Sequence, residues 1–352
     1  MRKNLGKLHI SAFCLLLILL FTGCSAFQTA PVQKSTVAMG SAVTVKLYSD
    51  NPETANTQAQ AVLDAVSALD TKVLSKSVAT SELSRLNASE SPETLTKVSP
   101  ELFSSLWETK EIYSRSESKA SLASGVLTEL WGIDTEDFRV PTDREITAAK
   151  ALCSDETVTL TEDGCVAFQK GQKLNLGSVG KGIACDKAAA VLAENGFSSE
   201  KSGAVISVGG SLALVGSPEK GERFTVGVRN PFGAQTEYFA TLKTDACFLS
   251  TSGSYEKKFE QNGTVYHHLL DLTTGYPAKT DLCAVTVKAK TGLQSDALST
   301  LCFLLGQEKS LPILQEYNAE AVFVYTDKSV FATSGIYHDL QLTDSGFTLE
   351  AI

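Results

Sequence analysis

The chain has 352 residues, enough for one large or two ordinary domains, and its 43% hydrophobic and 20% charged composition is that of a globular protein with a sizeable core. Intrinsic disorder and collagen-like repeats are excluded. With 31 Lys and Arg against 40 Asp and Glu the formal charge is −9, which excludes a broad basic surface for nucleic acid and leaves only local anion sites.

Arg2, Lys3 and Lys7 precede an apolar run from Ala12 to Thr22 that ends at Gly23 and Cys24. This is the pattern of an export signal, and the run is about half the ~20 residues a spanning helix needs. LFTGC is similar to the lipobox of bacterial lipoproteins, so residues 1–23 are expected to be a signal peptide and Cys24 the lipidated residue. Phe21 departs from the usual lipobox, which leaves plain cleavage or a retained N-terminal anchor open. The chain is thereby expected outside the cytoplasm, held to the outer face of the cell or inner membrane. Residues 24–36 read as a polar tether and 37–352 as one folded domain.

AVTVKLY at 42–48 alternates like a half-buried strand, and residues 54–73 have helical spacing. Ser99 and Pro100 open a second helix, and Pro141, Thr142 and Asp143 a third. From Thr157 short strands dominate, interrupted by helices at about 179–194 and 294–305. This succession predicts an α+β fold with mixed, largely antiparallel sheets flanked by helices. No Cys-x-x-Cys pair occurs, which speaks against a zinc ribbon. Cys153 and Cys165 flank the turn signal TEDG and are the one pair that local sequence favours for a disulfide.

Four segments carry candidate chemistry. LNLGSVGKG at 174–182 runs from a strand through a Gly-rich turn into a helix, whose free N–H groups and Lys181 can hold phosphate; it lacks the Walker A spacing. SVGGSLALVGS at 207–217 splits two strands at Gly209 and Gly210, as a bulge, a tight turn or a place where a flat ligand meets bare backbone. Residues 250–279 gather Ser252, His268, Asp271 and Thr273 around a hairpin joined at Asn262 and Gly263. A hydrolase triad there lacks a GxSxG elbow, whereas His268 suits a single general base. In LQSDALSTLCFLLG at 293–306, Asp296 and Thr300 are i and i+4 on a helix, so a carboxylate and a hydroxyl can share a hard cation such as Mg²⁺; Asp296 near a helix start with Thr300 merely packed is the plain alternative.

These segments, in this order behind the lipobox, resemble the ApbE family of FAD:protein FMN transferases. The similarity also takes in MGSAVTVKLY at 39–48, SELSRLN at 81–87, LTELWGI at 127–133, VGVRNP at 226–231 and DALST, and covers nearly all of the domain. It implies a single ApbE-like, T-fold-like domain that binds FAD and Mg²⁺, cleaves the FAD pyrophosphate and moves FMN to a Thr or Ser hydroxyl of an acceptor flavoprotein, releasing AMP. An FAD pyrophosphatase and a non-catalytic flavin-binding lipoprotein are the alternatives. By position, Ser178, Asp296 and Thr300 match the metal ligands and His268 the base. Met39, Leu122, Ala123, Ser124, Asn175, Lys181 and the backbone at Leu270 match FAD contacts. The chain departs from the family at Asn175 and Ser211, where acids are usual, at KASLASG (119–125), and at Ser77, where relatives place a Tyr.

Overall fold

The computed structural model describes residues 30–352 apart from 133, 134, 136, 137, 201 and 220. The expected signal peptide and Cys24 lie outside the described residues. One nine-stranded sheet organises the chain. Its strands, in spatial and chain order alike, are β1 (Val32–Ala38), β2 (Ser41–Tyr48), β3 (Gly203–Val208), β4 (Ser211–Gly216), β5 (Cys247–Gly253), β6 (Leu282–Ala289), β7 (Glu320–Tyr325), β8 (Ser329–Ala332) and β9 (Thr348–Ala351). Neighbours run antiparallel except β8 and β9, which are parallel. The fold is α+β.

Period-two alternation divides the core between the two faces of this sheet. Val43, Val45, Ala213, Val285, Val287 and Phe323 meet the helices α1 (Pro52–Leu69), α2 (Pro100–Tyr113), α3 (Gly180–Glu194) and α4 (Gly292–Leu305). Leu214, Ala284, Val322 and Val324 point the other way, into a layer with Phe224, Phe239 and Leu242 from a three-stranded sheet. β6 is buried along most of its length because both faces are covered. α4 is buried nearly all round; its polar residues Ser295, Asp296, Ser299 and Thr300 fall at i, i+1, i+4 and i+5 and so share one side.

Local chemistry explains the element starts. Ser99 accepts the N–H of Leu102 with Pro100 at the first turn, and Thr142 forms a capping box with Glu145. Asn262 and Gly263, at φ +55° and +74°, turn Lys258–Gln261 into Thr264–His267.

Two expectations are corrected, and the structure adds a helix that the sequence pattern did not announce. The tether is shorter than residues 24–36, because β1 starts at Val32 and pairs with β2 from Val32 opposite Leu47 to Ala38 opposite Ser41. Its alternation of half-buried Val32, Lys34 and Thr36 with exposed Gln33, Ser35 and Val37 is polar enough to read as a linker. Cys153 and Cys165 are both free thiols, like the other four cysteines among the described residues. Cys165 sits at the turn end of its hairpin, opposite Thr161, whereas Cys153 lies beyond the far end, where Val158 faces Phe168. Three residues at ~3.3 Å each already exceed the reach of a disulfide. A further helix, α5 (Gln307–Glu316), holds Pro312 in its interior, which masks it in a reading by pattern.

Candidate active site

Two tight turns and two helix starts meet at one end of the strands of the main sheet. Met39 and Gly40, at φ +55° and +64°, join β1 to β2, and Gly209 at φ +57° with Gly210 joins β3 to β4 across the pair Val208–Ser211. The Gly pair is therefore a two-residue turn. A Cβ at Gly180 would lie 3.4 Å from the Met39 methyl, and one at Gly209 would lie 3.0 Å from Ser41 Oγ and 3.2 Å from Lys181 Cδ. Both turns thus pack against the start of α3, where first-turn N–H groups and Lys181 concentrate positive charge.

Beneath them Asp296 of α4 is 2% exposed. Its Oδ2 accepts the Gly182 N–H at 2.9 Å, its Oδ1 accepts Ser211 Oγ–H at 3.3 Å, and Lys181 Nζ is 3.9 Å from Oδ1. Burial raises the Asp296 pKa, while Lys181 and the Gly182 N–H pull it back down. Ser211 Oγ in turn accepts from Ser250 Oγ at 3.0 Å, and Ser250 meets Ser295 at 2.8 Å. One turn further along, Ser252 Oγ lies 2.8 Å from Ser299 Oγ and 3.1 Å from Thr300 Oγ1. A ladder of hydroxyls from β4 and β5 therefore orients the Asp296 and Thr300 side of α4.

His268 occupies the bend after Thr264–His267, its N–H donating to the Lys257 carbonyl at 3.0 Å. Burial, then the charges of Lys181 and Lys257, lower its pKa to about 3, so the imidazole is neutral at pH 7. Its Nδ1 is buried without a hydrogen-bond partner. His267 is fully engaged: its Nε2 is 3.2 Å from the Ala278 carbonyl, its Nδ1 accepts the Leu269 N–H at 3.2 Å, and its ring packs edge-on to Phe303. Asp271 turns away, paired with Lys119 at 2.7 Å and Thr273 Oγ1 at 2.6 Å. Ser252, His268 and Asp271 do not form a triad.

The remaining sequence candidates fall in two places. Ser178 meets Tyr113 OH at 2.6 Å, and burial together with the charges of Asp296 and Asp155 raises the Tyr113 pKa. Asn175 Oδ1 accepts the Gly177 N–H at 3.0 Å while its Nδ2 donates to Thr128 Oγ1 at 3.3 Å and Ser124 Oγ at 3.4 Å, a role that uses both ends of an amide. Leu122 and Ala123 have wholly buried side chains, and Leu270 sits in a separate apolar cluster with Leu127 and Trp131. What 121–124 presents is backbone, folded around the Asp155 carboxylate, which accepts Ser121 Oγ–H at 2.6 Å and the N–H groups of Leu122 and Ala123 at 3.2 and 3.3 Å. Ser77 is exposed and bonded to Ser75. Asp155, Tyr113 and Ser250 carried no sequence signal, because each acts on residues at least 30 positions away.

The donors suit a hard cation. Asp296 Oδ1 meets a hydroxyl at 3.3 Å and an ammonium at 3.9 Å, neither of them a short contact, Thr300 adds a hydroxyl, and both donors are oxygen. Among the described residues no group of three His, Cys, Asp or Glu could hold a metal alone. Such an ion therefore fits only when phosphate oxygens and water complete its shell, which is the habit of Mg²⁺.

A Gly-rich turn leading into a helix N-terminus with Lys181, a buried carboxylate and a neutral imidazole in the field of that lysine make a site able to hold an anion and accept a proton, without the triad of a serine hydrolase. A model of the ApbE family matches residues 39–323, and the chain belongs to that family. It is 30% identical over 336 residues to the FAD:protein FMN transferase of Treponema pallidum, covering 90% of this chain and 91% of that one. It is 31% identical over 316 residues to that of Klebsiella pneumoniae (strain 342), covering 89% and 95%. Among solved structures, the ApbE protein of Thermotoga maritima superposes with a TM-score of 0.79 at 26% identity over 87% of this chain and 97% of that one. The apo flavinyl transferase ApbE of Pseudomonas stutzeri gives 0.72 at 26% identity over 86% and 93%. The chain is a transferase.

Proposed function

We propose that the chain moves the FMN half of FAD to a Thr or Ser hydroxyl of an acceptor flavoprotein, with AMP released and Mg²⁺ required. The observation that carries this is the convergence of Lys181, the α3 N-terminus and Asp296 within about one side-chain length, with His268 in the field of Lys181. The start of α3 and Lys181 bind the diphosphate as an anion. His268, neutral and with a free buried nitrogen, takes the proton of the acceptor hydroxyl as its oxygen attacks the FMN-side phosphorus; the bond from that phosphorus to the bridging oxygen breaks, and AMP leaves with that oxygen. Asp296, Thr300 and Ser178 are the groups that would hold Mg²⁺, whose charge would offset that of the phosphates. The Tyr113 contact holds Ser178 in place, and the hydroxyl ladder does the same for Asp296 and Thr300. Export and lipid attachment at Cys24, giving a membrane-held enzyme, belong to the same proposal.

The test is to mix protein, FAD, Mg²⁺ and an acceptor carrying a target Thr or Ser, reading covalent flavin fluorescence on the acceptor and AMP by chromatography. Transfer is expected in stoichiometric pairs with AMP, and lower by more than about a hundredfold in Asp296→Asn, which removes charge but keeps an acceptor for Gly182. Steady FMN and AMP release without acceptor would make the chain a pyrophosphatase instead, and FAD left intact would make it a carrier.

A further inference from the structure

α3 and α4 touch backbone to backbone at their first turns. A Cβ on Gly182 would fall 2.1 Å from the Gly292 carbonyl oxygen, and a Cβ on Gly292 would fall 2.1 Å from that of Gly182, so neither position admits a side chain. Each helix has an Asp four residues beyond its glycine: Gly182 with Asp186 in GIACD, Gly292 with Asp296 in GLQSD. Each Asp reaches across to the other helix. Asp296 accepts the Gly182 N–H at 2.9 Å, and Asp186 accepts those of Gly292 and Leu293 at 2.7 and 2.8 Å.

The two carboxylates thus form a reciprocal clasp about a near-twofold crossing, each satisfying first-turn donors that have no partner in their own helix. Their surroundings differ. Asp296 has one oxygen left over, turned toward Ser211 and Lys181; Asp186 spends both oxygens on α4, with Glu108 of α2 as its charged neighbour. Asp186 therefore has no part in the chemistry proposed above, yet it fixes the end of the helix that carries Asp296 and Thr300.

We propose that Asp186 is a positioning residue: by pinning the first turn of α4 against that of α3, it sets Asp296 and Thr300 in register with the phosphate-binding turn and Lys181. The functional weight of this role rests on the flavin-transfer reading, whereas the clasp itself rests on geometry alone. Without Asp186, the first turn of α4 keeps its Thr291 cap, which accepts the Gln294 N–H at 3.2 Å, and the clasp loses two of its three hydrogen bonds.

The experiment compares wild type, Asp186→Ala and Asp186→Asn, the last keeping one acceptor oxygen in case the alanine variant folds poorly. The first readout is amide hydrogen exchange in ligand-free protein, normalised to the core amide of Val287. Exchange at Gly182, whose own acceptor is untouched, is expected to rise about tenfold in Asp186→Ala and by less in Asp186→Asn, the scale of a lost helix cap. The second is the Mg²⁺ concentration for half-maximal transfer, expected to rise about tenfold at constant FAD. A change confined to the Gly292 and Leu293 amides, with Gly182 and the Mg²⁺ requirement unmoved, overturns the proposal. Because the exchange readout needs neither FAD nor metal, its failure sinks the clasp alone, while wild type that moves no FMN to a verified acceptor sinks the functional reading alone.

Discussion

His268 concentrates the site's electrostatics in one side chain. In the unfolded chain its imidazole binds a proton up to about pH 6.5, but in the folded chain only below about 3. Between these values the unfolded state holds a proton that the folded state refuses, so stability is full above pH 6.5 and declines as pH falls toward 3. At pH 5 this gap of 1.5 pH units amounts to at most about 2 kcal/mol. In His268→Gln the decline from this group is absent, so urea midpoints at pH 7 and pH 5 are expected to separate further for wild type than for the variant. Equal separations would mean that His268 titrates normally and is open to solvent. After burial, the charge of Lys181 depresses it most, so an anionic diphosphate bound beside Lys181 would offset that field and raise the His268 pKa toward the range useful for a base.

The site's flexibility is set by its turns and helix starts. Gly209 holds φ +57°, and its missing Cβ leaves room for Ser41 and the Lys181 stem. Alanine there is expected to lower stability by roughly 1 kcal/mol, from the left-handed backbone, and to push Lys181 off its line. Steady-state kinetics should then show KM for FAD rising more than kcat falls, because a ground-state phosphate contact is the one disturbed. Unchanged kinetics would detach Lys181 from this turn. The same scale shows what the sequence could disclose. Elements with local punctuation were legible: Ser99 with Pro100, the Thr142 box and the Asn262–Gly263 turn are chemistry within four residues. Lys181, Asp296, Thr300 and His268 were legible as a set only through family resemblance, since no spacing along the chain relates a bend near 268 to a turn near 181. Asp155 and Asp186 were not legible at all: an acid that accepts N–H groups 32 or 106 positions away looks like any solvated acid until the chain has folded.

At the scale of the molecule, the main sheet extends past the family match at both ends. The match runs from residue 39 to 323, so β1 precedes it and β8 and β9 follow it, yet these strands form the two borders of the sheet. β1 is the instructive border. It hydrogen-bonds all along β2, whose Val43, Val45 and Leu47 are fully buried, and its Ala38 joins the same core beneath α1. Removing it leaves β2 as a bare edge whose apolar residues face the core and whose open N–H and C=O groups can pair with another chain. Two shortened chains, one beginning at residue 30 and one at residue 39, are therefore compared by urea unfolding. The one beginning at residue 39 is expected to lose roughly 2–4 kcal/mol relative to the longer, the order of a small strand's buried apolar surface, and to aggregate on refolding. If the shorter chain were equally stable, residues 32–38 would be a tether after all, laid against β2 without supporting it, and the site's Met39 turn would be anchored from the β2 side and by its N–H bond to Asp70 alone.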